Sequence, residues 1–182
     1  MCAGKGKQTG MLSDSAAVET GVVTDEDRLR AEIYRLLARF LTQPPATADL
    51  AFAKSLEGGD TAIGQAVRTF ARIAGATETV EADDEYHALF IGVGRGELLP
   101  FASYYLTGFL HEKPLARLRN DMAALGIAAN PDATEPEDHA AAVLDIMAGL
   151  IDGSFGEPLT LAKQKQFYEA HVGCWMPLFF RD

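Results

Sequence analysis

Apolar side chains recur every three or four residues through most of this chain, and short segments rich in proline or glycine separate the runs. That spacing is typical of amphipathic helices, whereas no segment alternates apolar and polar residues for long enough to form a strand. The pattern therefore predicts an all-α fold without a substantial sheet. We expect one domain over residues 23–182, an irregular bundle of about seven to eight helices joined by short loops. Residues 1–22 lack periodicity and are rich in Gly, Ser, Thr and Ala, which predicts a disordered tail.

Capping residues predict several helix ends. Thr24, followed three residues later by Asp27, has the spacing of a capping box and predicts the start of the first helix. Gly126, followed by an isoleucine, predicts a Schellman motif at the end of a later helix. Residues 134–137 repeat the capping-box pattern with an early proline, so we expect a helix to begin there. The acidic segment 78–85 is expected to be a link between helices.

The charge balance restricts the classes of partner. Sixteen basic residues against 26 acidic ones give a formal net charge of −10, which repels the phosphates of a nucleic acid. We therefore expect no nucleic-acid partner. A negative surface suits a basic partner, although it is equally compatible with a role in solubility alone.

Cysteine usage and hydropathy indicate the compartment. Cys2 and Cys174 are the only cysteines, and they form neither a disulfide framework nor a zinc motif. The first 22 residues contain no apolar core of a secretory signal, and the apolar run 140–151 is interrupted by Asp145 and is too short to span a bilayer. We expect a cytoplasmic protein without membrane insertion.

No catalytic or metal-binding pattern emerges from the sequence. The four histidines are scattered, no histidine pair has the spacing of a zinc site on one helix, and no nucleophile elbow is present. His139, next to Glu137 and Asp138, is interpreted as an ordinary side chain in the first turn of a helix. We therefore predict a protein that is not an enzyme and that binds no metal or cofactor.

A glycine-rich loop leaves a second function open. Gly92, Gly94 and Gly96 alternate along the loop, and such loops can approach phosphate groups closely. Here the loop follows a helical pattern instead of a strand, and it lacks the lysine of a P-loop. These features favour a loop that needs positive φ or close packing. A nucleotide-binding protein, with GTP as ligand, remains the alternative hypothesis.

Three motifs, in order along the chain, resemble the TorD/DmsD family of cytoplasmic chaperones for molybdenum-containing oxidoreductases. The first joins Tyr86-x-x-Leu89-Phe90-x-Gly92 to Pro100-x-x-Ser103-x-Tyr105. The second is Pro136-Glu137-Asp138-His139, and the third is the segment HVGCWMPLFF at residues 171–180. The resemblance extends over roughly residues 28–180.

The resemblance implies an all-helical protein that binds the twin-arginine signal peptide, or another part, of an apo-enzyme until its molybdenum cofactor is inserted. It also implies a monomer or a domain-swapped dimer, and guanine nucleotide binding has been proposed for some members. The family commonly continues through another helix where this sequence stops at Asp182, so we expect an apolar face there that is exposed or covered by a neighbouring chain. The positions implied to bind peptide are Tyr86, Phe90, Pro100, Ser103, Tyr105, Asp138 and His139.

A twin-arginine leader presents two guanidinium groups and an apolar segment, so its receptor needs carboxylates beside an apolar groove. We expect Glu85, Glu137 and Asp138 to be the acceptors, and His139 to act as a hydrogen-bonding or pH-sensitive element. The groove is predicted where the glycine loop meets a helix beginning at Pro136. Replacing Asp138 and His139 together by alanine is expected to weaken binding without lowering the melting temperature. A structural assembly subunit, which binds a folded redox enzyme instead, is a further alternative.

Overall fold

The computed structural model describes residues 21–94 and 96–182. Residues 1–20, which make up nearly all of the predicted disordered tail, lie outside this range, as does Arg95 in the glycine loop. Gly21, the first described residue, donates its N–H to the carbonyl of Pro158 at 2.6 Å.

Within the described residues the secondary structure is helical, which confirms the all-α prediction. Two of the helices continue into a π-helical turn, named π1 and π2. In chain order the elements are α1 (Asp25–Thr42), α2 (Thr47–Lys54), α3 (Ala62–Ala74), α4 (Thr79–Tyr86), π1 (His87–Ile91), α5 (Ala102–Thr107), α6 (Lys113–Ala124), α7 (Ala140–Asp152), α8 (Leu161–Phe167), π2 (Tyr168–Val172) and α9 (Met176–Phe179).

Helix α7 lies at the centre because it is apolar on nearly every side. Ten of its thirteen residues are buried, and the exposed Asp145 marks its one open side. Helix α1 packs along α7, where the small side chains of Ala31 and Ala38 are buried against it and allow the two backbones to approach. Side chains from α6, α8, π2, α9 and the turn before α9 complete the main core, among them Leu118, Met122, Phe167, Val172, Trp175 and Phe179.

A smaller apolar cluster joins α2, α3 and α4. Leu50, Ala53, Ala74 and Ala82 are buried there, and the rings of Phe40 and Phe70 pack edge to face at 5.0 Å. The expectation that residues 78–85 form a link is therefore wrong, because most of them belong to helix α4. Ala82 is the one residue of that helix that is buried, which explains why its acidic sequence shows no amphipathic pattern.

The predicted caps differ in outcome. Thr24 and Asp27 form the predicted capping box, with the Asp27 N–H donating to the Thr24 hydroxyl at 3.1 Å. At Gly126, whose φ is +74°, the hydrogen bonds of a Schellman motif are present. The helix start predicted at residues 134–137 is wrong, since α7 begins at Ala140 with His139 as its N-cap.

Candidate functional site

The glycine-loop segment and the start of α7 are joined by backbone hydrogen bonds. The N–H of Ala140 donates to the carbonyl of Pro100 at 2.7 Å, and the N–H of Ala102 donates to the carbonyl of Asp138 at 2.9 Å. Phe101 and His139 face each other across this antiparallel bridge, with their rings 5.1 Å apart. The N–H of His139 also donates to the carbonyl of Pro136 at 3.0 Å, which closes a turn over residues 136–139. The bridge and this turn keep these residues out of the helix and explain why α7 starts later than its sequence predicts.

Asp138 caps a helix that is distant in sequence. Phe101, the N-cap residue of α5, has no side-chain acceptor, and the N–H of Ser103 donates instead to Asp138 Oδ2 at 2.9 Å. Asp138 and Ser103 are 1% and 0% exposed, so this hydrogen bond is shielded from water. Asp138 Oδ1 has no hydrogen-bond partner among the described residues. The side chain borders a void of about 10 Å³ beside Trp175.

His139 is an N-cap, which differs from the first-turn role expected from the sequence. Its Nδ1 accepts the N–H of Ala141 at 3.2 Å, which requires the unprotonated form of that nitrogen. Burial lowers the pKa of His139 to about 4, and the nearby Asp138 carboxylate only partly opposes this effect. The imidazole is therefore neutral near pH 7, which supports a hydrogen-bonding role over a pH-sensitive one.

An aromatic cluster contains three of the predicted peptide-binding residues, Tyr86, Phe90 and Tyr105. Phe90 packs against Tyr86 with ring centroids 4.9 Å apart, and Tyr105 packs against Trp175 and Phe179 at 5.6 and 5.9 Å. Phe90 and Tyr105 are half-buried, whereas Trp175 and Phe179 are fully buried. Burial and a hydrogen bond with Asp182 raise the pKa of Tyr105 to about 12. Phe90 and Tyr105 therefore stabilise the packing of π1 and α5 on the core.

The other contacts of Tyr86, and the positions of Glu85 and Pro100, differ from one another. Tyr86 is half-buried, and its hydroxyl donates to the carbonyl of Leu41 near the end of α1 at 3.1 Å. Burial raises the pKa of Tyr86, and the charge of Glu135 adds to this effect. Glu85 is exposed on α4. Pro100 is buried, and its carbonyl belongs to the bridge to α7.

A groove of about 1050 Å³ lies between α1, α6, α7 and the segment 127–139. Its apolar walls include Ala38, Met122, Ile127, Ala141, Ile146 and Phe155. Of the nine residues predicted to bind peptide, Glu137 and His139 line this groove, while the other seven do not. None of the described residues of the glycine loop lines the groove either, so the groove does not lie where the sequence placed it.

The groove carries an excess of negative charge. Three arginines and four carboxylates line it: Arg35, Arg39, Arg119, Asp132, Glu135, Glu137 and Asp145. Each arginine is already engaged, Arg35 with Asp152, Arg39 with Asp49 and Arg119 with Glu137. Asp132, Glu135 and Asp145 form no ion pair within the described part of the chain, and all three are exposed. Asp145 lies within electrostatic reach of Arg35 and helps to raise its pKa, although the side-chain hydrogen bond of Arg35 with Asp152 is the largest cause. An added cationic group would therefore find carboxylates that no ion pair engages.

The sequence did carry signals for these carboxylates. Asp132 and Glu135 belong to an acidic stretch between Pro131 and Pro136, and Asp145 is the charged residue that interrupts the apolar run of α7. No sequence pattern indicated Arg119 as a site residue, because its partner Glu137 lies in a different segment. Only the fold brings Arg119 to Glu137, which lies 18 residues later in the sequence.

The glycine loop has the conformations expected of a packed turn. Gly92 and Gly94 adopt φ values of +58° and +92°. A Cβ atom on Gly96 would lie 2.4 Å from the carbonyl carbon of Phe90, so the backbone approaches too closely for a larger residue. The loop follows π1 and leads to an extended segment, so it does not open a helix as a phosphate-binding loop does.

Residues 21–94 and 96–182 contain neither a metal-binding cluster nor a membrane-spanning helix. No group of three or more His, Cys, Asp or Glu side chains there is placed to hold a metal ion. None of the helices in the same ranges is long and apolar enough to cross a membrane.

Residues 56–181 match the family model described as nitrate reductase delta subunit. The chain belongs to this family. Relatives matched by sequence are named Chaperone protein TorD, which confirms the resemblance found in the three motifs.

The relative from Vibrio cholerae serotype O1 is 34% identical over 107 residues, covering 55% of this chain and 49% of the relative. The relative from Psychrobacter sp. is 26% identical over 156 residues, covering 82% of this chain and 69% of the relative. The chain spans about half the length of most of the curated relatives it matches.

A solved structure supports the fold assignment. The crystal structure of a proposed redox enzyme maturation protein from Archaeoglobus fulgidus superposes with a TM-score of 0.51 at 18% identity. The superposition covers 79% of this chain and 81% of the other. At this level of identity the similarity establishes a shared fold.

Proposed function

We propose that this protein is a cytoplasmic chaperone of molybdoenzyme maturation. It binds the twin-arginine signal peptide, or another part, of an apo-oxidoreductase and holds this client until the molybdenum cofactor is inserted and export can follow. Membership of the family and the name of the relatives support a chaperone that works by binding, without catalytic turnover. Since the client is bound before export, its chaperone belongs in the cytoplasm.

The observation that carries the proposal is the chemistry of the groove. Its carboxylates exceed its arginines, and those arginines already have partners. A guanidinium group forms strong, charge-assisted hydrogen bonds with carboxylates, often in a bidentate geometry. The apolar walls beside these carboxylates suit the apolar segment that follows the two arginines in a leader peptide.

The structure suggests a revised set of acceptors. Glu135 and Asp145 face the groove without an ion-pair partner, Glu137 faces it in a pair with Arg119, and Asp138 is buried away from it. We propose that Glu135, Glu137 and Asp145 receive the client's arginines. The aromatic residues of the first motif support the fold around the site.

Isothermal titration calorimetry with a synthetic twin-arginine leader tests the proposal. Replacing both Glu135 and Asp145 by their amides should weaken binding at least about tenfold, since each hydrogen bond to a charged group contributes about 1.5 kcal/mol or more. Glu57→Gln with Asp84→Asn is the matched control, because it removes the same charge from exposed positions outside the groove. Equal losses of affinity in the two double variants would show that only the change in net charge weakens binding. Undiminished binding by the groove variant would refute the site.

Calorimetric titration with other ligands tests the two alternative functions. A structural assembly subunit would bind the folded redox enzyme and ignore the isolated leader. A GTP-binding protein would saturate with GTP at micromolar concentrations and lose this binding in Gly94→Val, which changes a glycine at positive φ.

A further inference from the structure

The ion pair between Arg119 and Glu137 occupies the groove in the absence of a client. Arg119 Nε donates to Glu137 Oε2 at 2.8 Å, and both residues line the groove. The Glu137 side chain is 16% exposed, whereas Asp132, Glu135 and Asp145 are all exposed. Glu137 is thus the most shielded of the four groove carboxylates, and shielding from water strengthens its attraction to a cation.

The resident pair uses only part of the bonding capacity of each group. The two terminal nitrogens of Arg119 donate no hydrogen bond in the described structure, and Glu137 Oε1 accepts none. A guanidinium that enters in the bidentate geometry forms two parallel bonds with a carboxylate and so binds it better than the single Nε contact does. Arg119 is 55% exposed on α6, so its side chain can move into solvent when it is displaced.

We propose that Arg119 holds the place of a client arginine. In the empty groove it neutralises Glu137, and a peptide guanidinium displaces it on binding. This inference rests on the proposed function and adds a displacement step to it. An arginine replaces the resident cation more fully than a lysine does, because a lysine brings a point charge without the planar fork. The free energy of breaking the resident pair is the same for either ligand, so Arg119 weakens the binding of both by the same factor.

The test compares Arg119→Ala with Arg117→Ala in calorimetric titrations of a twin-arginine leader and its twin-lysine counterpart. Arg117 lies on the same helix and is exposed outside the groove, so its removal makes the same change in net charge. Arg119→Ala should bind the arginine peptide roughly 1.5-fold to fivefold more tightly than Arg117→Ala, the range expected for losing competition from a partly exposed ion pair. The twin-lysine peptide should gain by about the same factor, since both ligands displace the same pair.

A double variant provides the internal control. In a Glu137→Gln background, Arg119→Ala should bring no gain, because the carboxylate for which the two cations compete is absent. Weaker binding by Arg119→Ala than by Arg117→Ala would show that Arg119 positions Glu137, and it would overturn the inference. Equal binding by those two variants, with normal binding by the unchanged protein, would overturn the inference alone. Absence of binding by the unchanged protein and by Arg119→Ala would overturn the proposed function as well.

Discussion

The burial of Asp138 leads to a prediction about stability. In Asp138→Ala, the N–H of Ser103 loses its acceptor at a position that water does not reach, since Ser103 is 0% exposed. An unpaired buried donor costs about 1–3 kcal/mol. Removal of a buried carboxylate whose Oδ1 has no partner recovers part of this cost. We expect a net loss of about 2 kcal/mol, which corresponds to a fall in melting temperature of about 4–8 °C for a domain of this size.

Two variants separate this explanation from others. Asp138→Asn keeps a carbonyl oxygen for the Ser103 N–H, so it should lose about 1 kcal/mol or less. Asp132→Ala removes an exposed carboxylate from the same segment and should change the free energy of unfolding by no more than about 0.5 kcal/mol. Thermal melts followed by circular dichroism measure all three.

The result that would refute the reasoning is a melting temperature for Asp138→Ala equal to that of the unchanged protein. If leader binding were lost at the same time, Asp138 would contact the peptide, as the sequence motif alone suggests. The structure instead predicts that replacing Asp138 and His139 together lowers stability, because each residue caps a helix.

Three further predictions concern stability and pH. Phe90→Ala should cost about 2–3 kcal/mol in urea denaturation, below the 3–5 kcal/mol typical of a fully buried ring, because Phe90 is half-buried beside Phe179; a near-neutral result would place the ring at the surface. The pKa of His139 is lowered to about 4 from an unfolded value near 6.5, so stability should fall as the pH falls through this window, by on the order of 2–3 kcal/mol. His139→Asn keeps an N-cap acceptor and should flatten the pH dependence of the melting temperature; an unchanged profile would assign that dependence to other groups. Gly96→Ala should cost about 1–3 kcal/mol because its Cβ meets the backbone of Phe90, whereas Gly59→Ala, which meets nothing within 4 Å, should be nearly neutral; similar melting temperatures would contradict this difference.

Local sequence patterns predicted the helices wherever local forces decide the outcome. The capping box at Thr24 and the Schellman motif at Gly126 depend on residues within one turn, and both were predicted correctly. Helix α4 was missed because its burial depends on Ala82 against a cluster from α2 and α3. The start of α7 was placed too early because the bridge between Pro100 and Ala140 overrides the local pattern at 134–137.

The candidate site was predictable only in part, because it is assembled from segments distant in sequence. The motif around Glu137 and His139 pointed to one wall of the groove. The other walls come from α1, α6 and α7, and no spacing along the chain relates Arg119 to Glu137 or Asp145 to Glu135. The motif also predicted Asp138 as a groove residue, but its hydrogen bond with the Ser103 N–H directs the side chain into the core.

Photo-crosslinking locates the bound leader and tests the central claim most directly. A twin-arginine peptide with a photoreactive phenylalanine analogue beside its arginines is irradiated with the protein, and the linked residues are identified by mass spectrometry. We predict cross-links to segment 127–139 and to the faces of α1 and α7 that line the groove, with loss of these cross-links when the two arginines are replaced by glutamine. Cross-links confined to residues 86–110, or cross-links at the groove that persist with the glutamine peptide, would contradict the account.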